Sequence, residues 1–237
     1  MALLDIAGVS VRFGNVPALR GVSLSVDAGE AVAVLGANGA GKTTLLRAIM
    51  GRVPAESGTL TLDGEAIGGM RTSGLVDRGL SLCPEGRQLF PAMSVEDNLL
   101  LGANRAVIRV ARARLATIYD RFPWLRERRG VLAGAFSGGE QQIVAIGRAL
   151  MAAPRLLLLD EPSSGLSPVA IGRVRELLGQ VRETGTAILL VEQNVQLAAA
   201  MTGRGYVLNR GTIAASGDTA ALVESEALAD AYLGGAA

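Results

Sequence analysis

The segment GANGAGKTT, residues 36–44, is rich in glycine and contains a single lysine. An apolar run over residues 31–35 precedes it and predicts a buried strand, while residues 45–50, followed by a glycine, predict a helix. Lys42 lies between the two and is the only lysine in a chain of 237 residues that contains no histidine. A glycine-rich loop that joins a strand to a helix and carries one isolated lysine indicates a binding site for an anion.

This loop follows the phosphate-loop pattern G-x-x-x-x-G-K-[ST]. Its glycines let the backbone curl so that successive N–H groups face phosphate oxygens, and the helix N-terminus adds partial positive charge. Lysine supplies a compact charge on a flexible stem, whereas the planar guanidinium of arginine is bulkier and fixed in shape. The hydroxyl of Thr43 would bind Mg²⁺. The residues predicted to bind nucleotide here are Gly36, Asn38, Gly39, Ala40, Gly41, Lys42, Thr43 and Thr44.

Length and composition restrict the possible functions of the chain further. A chain of 237 residues with no internal repeat predicts a single domain over residues 1–237. Lys and Arg number 23 against 22 for Asp and Glu, so the net charge gives no reason to expect nucleic acid as a partner. The single cysteine, Cys83, excludes an internal disulfide, and no apolar run approaches the roughly 18 to 20 residues of a membrane helix. We therefore expect a cytoplasmic location with neither a signal peptide nor a membrane span.

Short apolar runs alternate with helical patterns along the chain, which predicts an α/β fold with a mostly parallel sheet. The pattern over residues 95–129 is helical and rich in arginine, which indicates a solvated helical surface rather than a phosphate or lipid patch. Residues 206–208 and 212–215 predict a hairpin, and Asp218 is the expected N-cap of a C-terminal helix. The predicted strands are residues 24–26, 31–35, 59–62, 80–83, 156–159 and 187–191.

Four leucines at residues 156–159 lead into two adjacent acids, Asp160 and Glu161. A buried strand would carry Asp160 to its carboxyl end, where the carboxylate can orient the Mg²⁺ shell. Glu161 follows as a candidate base for the attacking water. Taken alone, the pattern is equally typical of an ordinary strand end. Together with the phosphate loop, it predicts the second half of a nucleotide site.

A third motif, Ser137-Gly138-Gly139-Glu140, precedes a helical run and lies about 20 residues before Asp160. With that spacing the chain resembles the ATP-binding subunits of ABC transporters, whose signature LSGGQ is present here as FSGGE. The resemblance covers essentially the whole chain. It implies a P-loop NTPase (RecA-like) core, an N-terminal antiparallel β subdomain and an inserted α-helical subdomain. We expect the core and β subdomain over about residues 1–85 and 148–237, and the helical subdomain over about residues 86–147.

The resemblance also assigns roles to residues outside the phosphate loop. Phe13 stands where the family places an aromatic ring that stacks on adenine. The family forms head-to-tail dimers in which the phosphate loop of one subunit and the signature of the other enclose each ATP. The signature residues Ser137, Gly138, Gly139 and Glu140 would therefore contact nucleotide held by a partner. The cofactors implied are ATP and Mg²⁺.

Two positions depart from the family pattern. Glu85, in the segment PEGR, stands where a glutamine normally senses Mg²⁺ and the attacking water, and Gln193, in VEQN, stands where a histidine normally contacts the γ-phosphate. Gln193 can form hydrogen bonds but carries no charge. The catalytic candidates are therefore Lys42, Glu85, Glu161 and Gln193, and the metal-binding candidates are Thr43, Glu85 and Asp160.

These departures resemble the second of the two ATPases of branched-chain amino-acid importers, as do SGGE and the ending AYLGG at residues 231–235. In that family two different ATPases pair beneath two permeases, which an extracytoplasmic binding protein supplies. The resemblance implies an asymmetric heterodimer whose partner provides the missing histidine, although the isolated chain could also form a homodimer. The family places a groove for a permease helix near Phe90 and Met93, so we expect at least one of these side chains to be partly exposed.

Other functions fit the same motifs. Urea or short-amide importers use closely similar ATPases, because these subunits never contact the transported substrate. A regulatory module that dimerises on ATP without transport would explain the uncharged Gln193, although such a module has no need of a base such as Glu161. A GTPase is disfavoured, because guanine recognition through N-K-x-D requires a second lysine.

Overall fold

The computed structural model of the chain describes residues 2–103 and 107–233. Strands and helices alternate through most of this length, as the sequence predicts. The strands are β1 (Ala2–Phe13), β2 (Val16–Asp27), β3 (Ala31–Leu35), β4 (Ser57–Leu62), β5 (Glu65–Ala66), β6 (Leu80–Cys83), β7 (Leu156–Asp160), β8 (Ala187–Glu192), β9 (Arg204–Asn209) and β10 (Thr212–Asp218). The helices are α1 (Lys42–Ile49), α2 (Thr72–Asp77), α3 (Val95–Leu100), α4 (Ile108–Arg121), α5 (Pro123–Glu127), α6 (Gly138–Leu150), α7 (Pro168–Glu183), α8 (Val195–Met201), α9 (Thr219–Val223) and α10 (Glu226–Leu233).

The central sheet has the strand order β10-β9-β3-β8-β7-β6. Its neighbouring strands pair in parallel except β9 and β10, which form the predicted hairpin. The strands β3, β7 and β8 are buried at every residue, as expected for parallel strands covered on both faces. Their register sets Leu35 beside Glu192 and Asp160 beside Val191. The phosphate loop, the acidic pair and Gln193 therefore all follow the carboxyl ends of adjacent strands.

A second sheet, of order β2-β1-β4-β5, is antiparallel throughout and forms the predicted N-terminal β layer. The sequence indicated only a short strand at residues 24–26, whereas β1 and β2 each run for 12 residues. Their pairing is interrupted by register shifts, one of which includes Gly8 with its φ of 63°. A bulge moves side chains to the other face, so the period of two is lost from the sequence. The turn of this hairpin places Phe13 at its tip.

The helices α3 to α6 lie between β6 and β7 in the chain. The helical pattern over residues 95–129 is divided into α3, a 3₁₀ turn at Leu101–Ala103, α4 and α5. The helix α4 ends at Arg121 and Pro123 opens α5, because proline cannot continue a helix but fits its first turn. Residues 104–106 of the predicted helical segment lie outside the described residues. The proposed subdomain boundaries stay a prediction.

Two large apolar clusters cover the faces of the central sheet, and a smaller third cluster packs β3 and β9 against α8, α9 and α10. One joins β3, β7 and β8 to α1 and the antiparallel sheet, and the other joins the same sheet to α3, α4, α6 and α7. Leu158 and Leu189 belong to the first cluster and Leu157 and Leu190 to the second, as the alternation of side chains along a strand requires. The strand ends that carry the polar motifs are therefore fixed by packing from both sides.

The C-terminal region begins as predicted, because Oδ1 of Asp218 accepts a hydrogen bond from the N of Ala221 at 3.0 Å. It contains two helices instead of one. The hydroxyl of Ser225 accepts a bond from the N of Leu228 at 3.2 Å and starts α10 anew. Of the ending AYLGG, Gly234 and Gly235 lie outside the described residues. Within residues 2–103 and 107–233, the longest helix is α7 with 16 residues, so none of the helices described there could span a membrane.

Candidate nucleotide-binding site

The phosphate loop leaves β3 at Gly36 and enters α1 at Lys42. Gly41, immediately before the helix, has a left-handed φ of 110°, and no side chain caps α1. The N–H groups of the first helical turn are therefore not taken up by a cap. Because they also carry the partial positive charge of the helix N-terminus, this arrangement suits an anionic ligand.

The inner side of the loop is packed tightly against the rest of the chain. A Cβ at Gly36 would lie 2.4 Å from the carbonyl oxygen of Leu208, and one at Gly41 would lie 2.8 Å from that of Ala18. Ala40 is buried, and its carbonyl oxygen accepts a backbone bond of 2.9 Å from the β9–β10 turn. Glycine is thus required at both positions by backbone approach, which leaves the outer side of the loop for a ligand.

Lys42 is almost fully buried, with 4% of its surface exposed. Its Nζ donates to the carbonyl oxygens of Gly36 at 2.8 Å and Ala37 at 3.0 Å. The same atom forms an ion pair with Oε1 of Glu161 at 2.9 Å. An ammonium group has three protons, and these three partners can use all of them. A phosphate would therefore compete with Glu161 for this lysine.

Asp160 lies beside the start of α1, where its Oδ1 accepts a bond from the hydroxyl of Thr43 at 3.3 Å. Burial raises the pKa of Asp160 to about 6, and the negative charges of Glu85 and Glu161 act in the same direction. A divalent cation would relieve this excess of negative charge. Among the described residues, no cluster of three or more His, Cys, Asp or Glu could hold a metal by itself. The site fits Mg²⁺, which commonly uses one or two carboxylates together with phosphate oxygens and water.

Glu161 follows β7 in the left-handed region, with a φ of 47°. Such a backbone is costly for a residue other than glycine, and it is held here by a bond of 2.8 Å from the N of Glu161 to the carbonyl oxygen of Val191. From this backbone conformation, Oε1 of Glu161 reaches Nζ of Lys42 beside the phosphate loop.

A cavity of about 550 Å³ opens in front of the phosphate loop. Phe13, with 48% of its surface exposed, forms one wall. Arg20 and Arg210, which the sequence analysis did not single out, also line it. The volume and the mixed lining are those of a small-molecule site. The predicted residues that line the cavity are Phe13, Asn38, Gly39, Gly41, Lys42, Thr43, Thr44, Glu85 and Glu161.

Gln193 lies directly after β8, beside the cavity rather than in its lining, and its side chain is exposed. Two bonds fix its backbone. Its N donates to Oε2 of Glu192 at 3.0 Å, and its carbonyl oxygen accepts from the hydroxyl of Tyr232 at 2.9 Å. The C-terminal helix α10 is thereby attached to the segment that carries Gln193.

The signature motif lies on a different surface of the chain. Ser137 is the N-cap of α6 and forms a capping box with Glu140. None of the four residues Ser137, Gly138, Gly139 and Glu140, all of them described, lines the cavity. Folding of this chain alone therefore does not bring the signature to the phosphate loop.

A second groove, of about 370 Å³, is lined by Phe90, Leu101, Met50 and Arg148. Phe90 has 53% of its surface exposed and Met93 is half-buried, so the expected partial exposure near this groove is confirmed. Leu101 on the same rim is 51% exposed. An apolar rim of this kind is suited to a protein partner.

Comparison with known proteins identifies the family. A family description of ABC transporters matches residues 19–164, which contain the phosphate loop, the signature and the acidic pair. The chain belongs to the ABC transporter family. As an ABC ATPase it binds nucleotide and hydrolyses ATP, and ABC ATPases work in pairs together with membrane permeases.

Several relatives of this ABC ATPase match it over nearly their full length. It is 42% identical over 233 residues to the high-affinity branched-chain amino acid transport ATP-binding protein BraG of Pseudomonas aeruginosa, with 98% of this chain and 100% of that protein covered. It is 29% identical over 252 residues to BraF of the same organism, with 98% of each covered. The lipopolysaccharide export system ATP-binding protein LptB of Escherichia coli K12 is 30% identical over 242 residues, with 99% of this chain and 98% of that protein covered. The names of these relatives refer to two transported substrates, branched-chain amino acids and lipopolysaccharide.

A solved structure supports the fold of this ABC ATPase. The ADP conformation of MJ1267, an ATP-binding cassette of an ABC transporter, matches with a TM-score of 0.90 and 26% identity, covering 99% of both chains. The predicted fold class, a P-loop ABC ATPase with an antiparallel N-terminal sheet and added helices, is confirmed.

Glu192 is a residue of this ABC ATPase that the sequence analysis missed. It is 1% exposed, and it accepts bonds from the N and the hydroxyl of Ser163 at 2.9 Å each and from the N of Gln193 and of Asn194 at 3.0 Å each. Burial raises the pKa of Glu192 despite these bonds. The residue ties the loop after the acidic pair to the loop after β8. An acidic residue at the end of an otherwise apolar strand is the sequence feature that could have indicated this role of Glu192.

Proposed function

We propose that this ABC ATPase powers an importer of branched-chain amino acids, as one half of a head-to-tail heterodimer at the cytoplasmic face of the cell membrane. The observation that carries the proposal is the cluster at one edge of the central sheet. There Lys42 is paired with Glu161 at 2.9 Å, and Asp160 accepts from Thr43 at 3.3 Å. The 42% identity to BraG supports the choice of cargo.

Nucleotide binding would use the open face of the phosphate loop. The N–H groups at the start of α1 and the ammonium of Lys42 would bind phosphate oxygens, while Phe13 would stack on the adenine at the opposite wall. Thr43 and Asp160 would hold Mg²⁺, with Glu85 near enough to influence its water shell. The ion would supply positive charge that stabilises the charge developing on the transferred phosphoryl group.

The ion pair between Lys42 and Glu161 suggests how binding prepares hydrolysis. While the carboxylate of Glu161 is paired with Lys42, it is less available to act as a base. When Lys42 turns to phosphate oxygens, Glu161 is released to accept a proton from the attacking water. The base would thus become available only after nucleotide has entered the loop.

The uncharged Gln193 supports an asymmetric pair. A glutamine amide can donate a hydrogen bond to a phosphate, but a charge-assisted bond is stronger, at about 1.5 to 3 kcal/mol. This chain contains no histidine, so its own site would hydrolyse ATP slowly unless other contacts replace that charge. Its Ser137 and Gly139 would serve the partner's nucleotide. Two different ATP-binding relatives, BraG and BraF, carry the same transport name in one organism, which favours unlike partners.

The permeases would bind the groove lined by Phe90 and Leu101. Both side chains are about half exposed although they are large and apolar, and Arg148 borders them. A short amphipathic helix could bury these side chains, as in other helix-in-groove complexes. An extracytoplasmic binding protein would then act on this chain only through the permeases.

Assembly with the transport components tests the proposed cargo. The chain, a second ATPase and the two permeases would be reconstituted in vesicles with a binding protein loaded with leucine, with urea or with nothing. We expect leucine to stimulate hydrolysis. Stimulation by urea, the cargo of the alternative importer, would overturn the choice of cargo but not the transport function.

Hydrolysis itself is tested by Glu161→Gln, which removes the base and should lower kcat by about 10² to 10⁴ fold. Glu224→Gln is the matched control, because Glu224 is exposed on the C-terminal region. Binding of ATP without hydrolysis in any assembly, and no effect of Glu161→Gln, would indicate the alternative regulatory module.

A further inference from the structure

The acidic residue of the signature motif folds back on the serine that opens it. Oε2 of Glu140 accepts bonds from the backbone N and from the hydroxyl of Ser137, each at 2.9 Å. The single hydroxyl proton of Ser137 is therefore committed to a carboxylate of its own chain. Ser137 must leave Glu140 before it can donate this proton to a phosphate oxygen.

The Glu140 carboxylate carries a negative charge at a place where the family pattern has a neutral glutamine. Partial burial would raise the pKa of Glu140, but the bonds from Ser137 and the ion pair with Arg128 hold it below its ordinary value. Under the proposed function this charge approaches the phosphates of a nucleotide held by the partner. Like charges repel most strongly where water is excluded, so the signature of this chain carries an electrostatic obstacle to its own use.

Arg128 is placed to remove that obstacle. Its Nη1 forms an ion pair with Oε1 of Glu140, the oxygen that Ser137 does not use. Its guanidinium carbon lies 3.9 Å from the centre of the Phe136 ring, and Phe136 immediately precedes Ser137. Phe136 is buried and its ring centroid lies 6.0 Å from that of Trp124. The charge of Arg128 is therefore held between a fixed ring and the carboxylate.

We propose that Arg128 is a positioning residue for the signature motif: it neutralises Glu140 and thereby allows Ser137 to turn to the phosphate of a nucleotide held by the partner ATPase. The inference rests on the proposed function, because it requires that nucleotide at this surface. Arg128 itself acts only through Glu140 and Ser137. When Ser137 leaves, Glu140 keeps a cationic partner, and the local charge that meets the phosphate is close to zero.

A double-mutant cycle tests this assignment. Arg128→Met, Glu140→Gln and the double variant are compared with the wild type in the assembly that hydrolyses ATP, whether the chain alone or its pair with a second ATPase. Methionine retains an unbranched apolar stem against Phe136 and removes the charge. Initial rates over a range of ATP concentrations give KM and kcat, and thermal unfolding confirms that each variant folds.

Arg128→Met should raise the KM for ATP about tenfold, because one close counter-charge is lost. Glu140→Gln should lower the KM, since the positive charge of Arg128 is then no longer balanced by a carboxylate. The double variant should return the KM to within about twofold of the wild type, as both charges are then removed. Arg128→Lys should restore most of the wild-type behaviour. The matched control Arg129→Met removes an equal charge from the adjacent exposed residue and should leave the KM unchanged.

Two results would overturn the inference while the proposed function stands. One is a double variant whose KM stays as high as that of Arg128→Met alone, which would mean that Arg128 only packs on Phe136. The other is a rise in KM for Glu140→Gln, which would mean that the carboxylate itself is needed. If Arg128→Met does not fold, Glu140→Gln and Arg128→Lys decide the question. A wild type that hydrolyses no ATP, alone or paired, would overturn the proposed function and this inference with it.

Discussion

The phosphate loop and the signature motif are both glycine-rich segments at the start of a helix, yet they use their polar groups in opposite ways. At α1 no side chain caps the helix, and the buried Lys42 adds a positive charge. At α6 the residues Ser137 and Glu140 cap the helix and add a negative charge. A glycine-rich helix start can therefore bind an anion directly where its donors are unused, whereas at the signature Ser137 must first leave Glu140.

Replacement of Lys42 should have the strongest effect on nucleotide binding among the variants considered. Lys42→Ala removes the buried ammonium, so we expect nucleotide affinity of the isolated chain to fall about 100-fold, as for the loss of charge-assisted bonds to phosphate. Lys42→Arg should restore little, because the planar guanidinium does not fit a buried position already bonded to Gly36 and Ala37. Titration with a fluorescent nucleotide measures the affinity. An affinity within a factor of about three of the wild type would contradict the central role of this residue.

Asp160→Asn should raise the stability of the ligand-free chain although it impairs hydrolysis. The pKa of Asp160 is raised from 3.8 to about 6 in the folded state by burial, so ionisation costs stability as pH rises through that interval. Above pH 7 the variant should gain about 2 to 3 kcal/mol in the free energy of unfolding, the equivalent of this pKa difference. Well below pH 3.8 the two proteins should be equally stable, since the carboxyl group is then neutral in both states.

Urea unfolding at several pH values, without nucleotide or Mg²⁺, measures this gain. Asp230→Asn at an exposed site of α10 is the control and should show no such pH dependence. A variant less stable than the wild type at pH 8 would show that Thr43 and Lys42 already neutralise Asp160.

Ser137→Ala separates the two motifs, because Ser137 belongs to the signature and not to the phosphate loop. Loss of its cap should cost about 1 kcal/mol of stability and leave nucleotide affinity of the isolated chain unchanged. Hydrolysis by the assembled pair should fall. Ser94→Ala is the matched control: Ser94 also caps a helix, accepting from the N of Asp97 at 3.1 Å, but lies outside the signature. Equal loss of hydrolysis in both variants would show that Ser137 acts only as the N-cap of α6.

Tyr232→Phe should give the smallest effect. It removes the hydrogen bond of 2.9 Å to the carbonyl oxygen of Gln193, which is worth about 1 kcal/mol. The segment around Gln193, which stands where the family has a histidine, is then held less firmly. We expect kcat to fall about threefold at unchanged KM, by analogy with the loss of one orienting hydrogen bond. Tyr119→Phe is the control, because it deletes a bond of the same length to Glu96 far from the cavity. A similar fall in kcat for both variants would assign the effect to stability alone.

Local patterns in the sequence predicted much of this molecule. Residues 31–35, 156–159 and 187–191 were assigned to strands because buried parallel strands are continuous apolar runs, and all three lie within strands of the central sheet. The long strand β1 was missed, since register shifts near Gly8 remove the alternation on which strand prediction depends. Residues 95–129 were predicted as one helical pattern, although Pro123 begins a separate helix.

The phosphate loop, the acidic pair and the signature could be identified from the amino-acid sequence alone, because glycine spacing, an isolated lysine and short apolar runs are properties of neighbouring residues. The three-dimensional fold is needed to explain why Lys42 meets Glu161, why Glu192 joins the loops at Ser163 and Gln193, and why Arg128 faces Glu140. These pairs are brought together by strand order, register and helix packing. Such long-range contacts depend on how elements share the core, which the period of any single segment does not record.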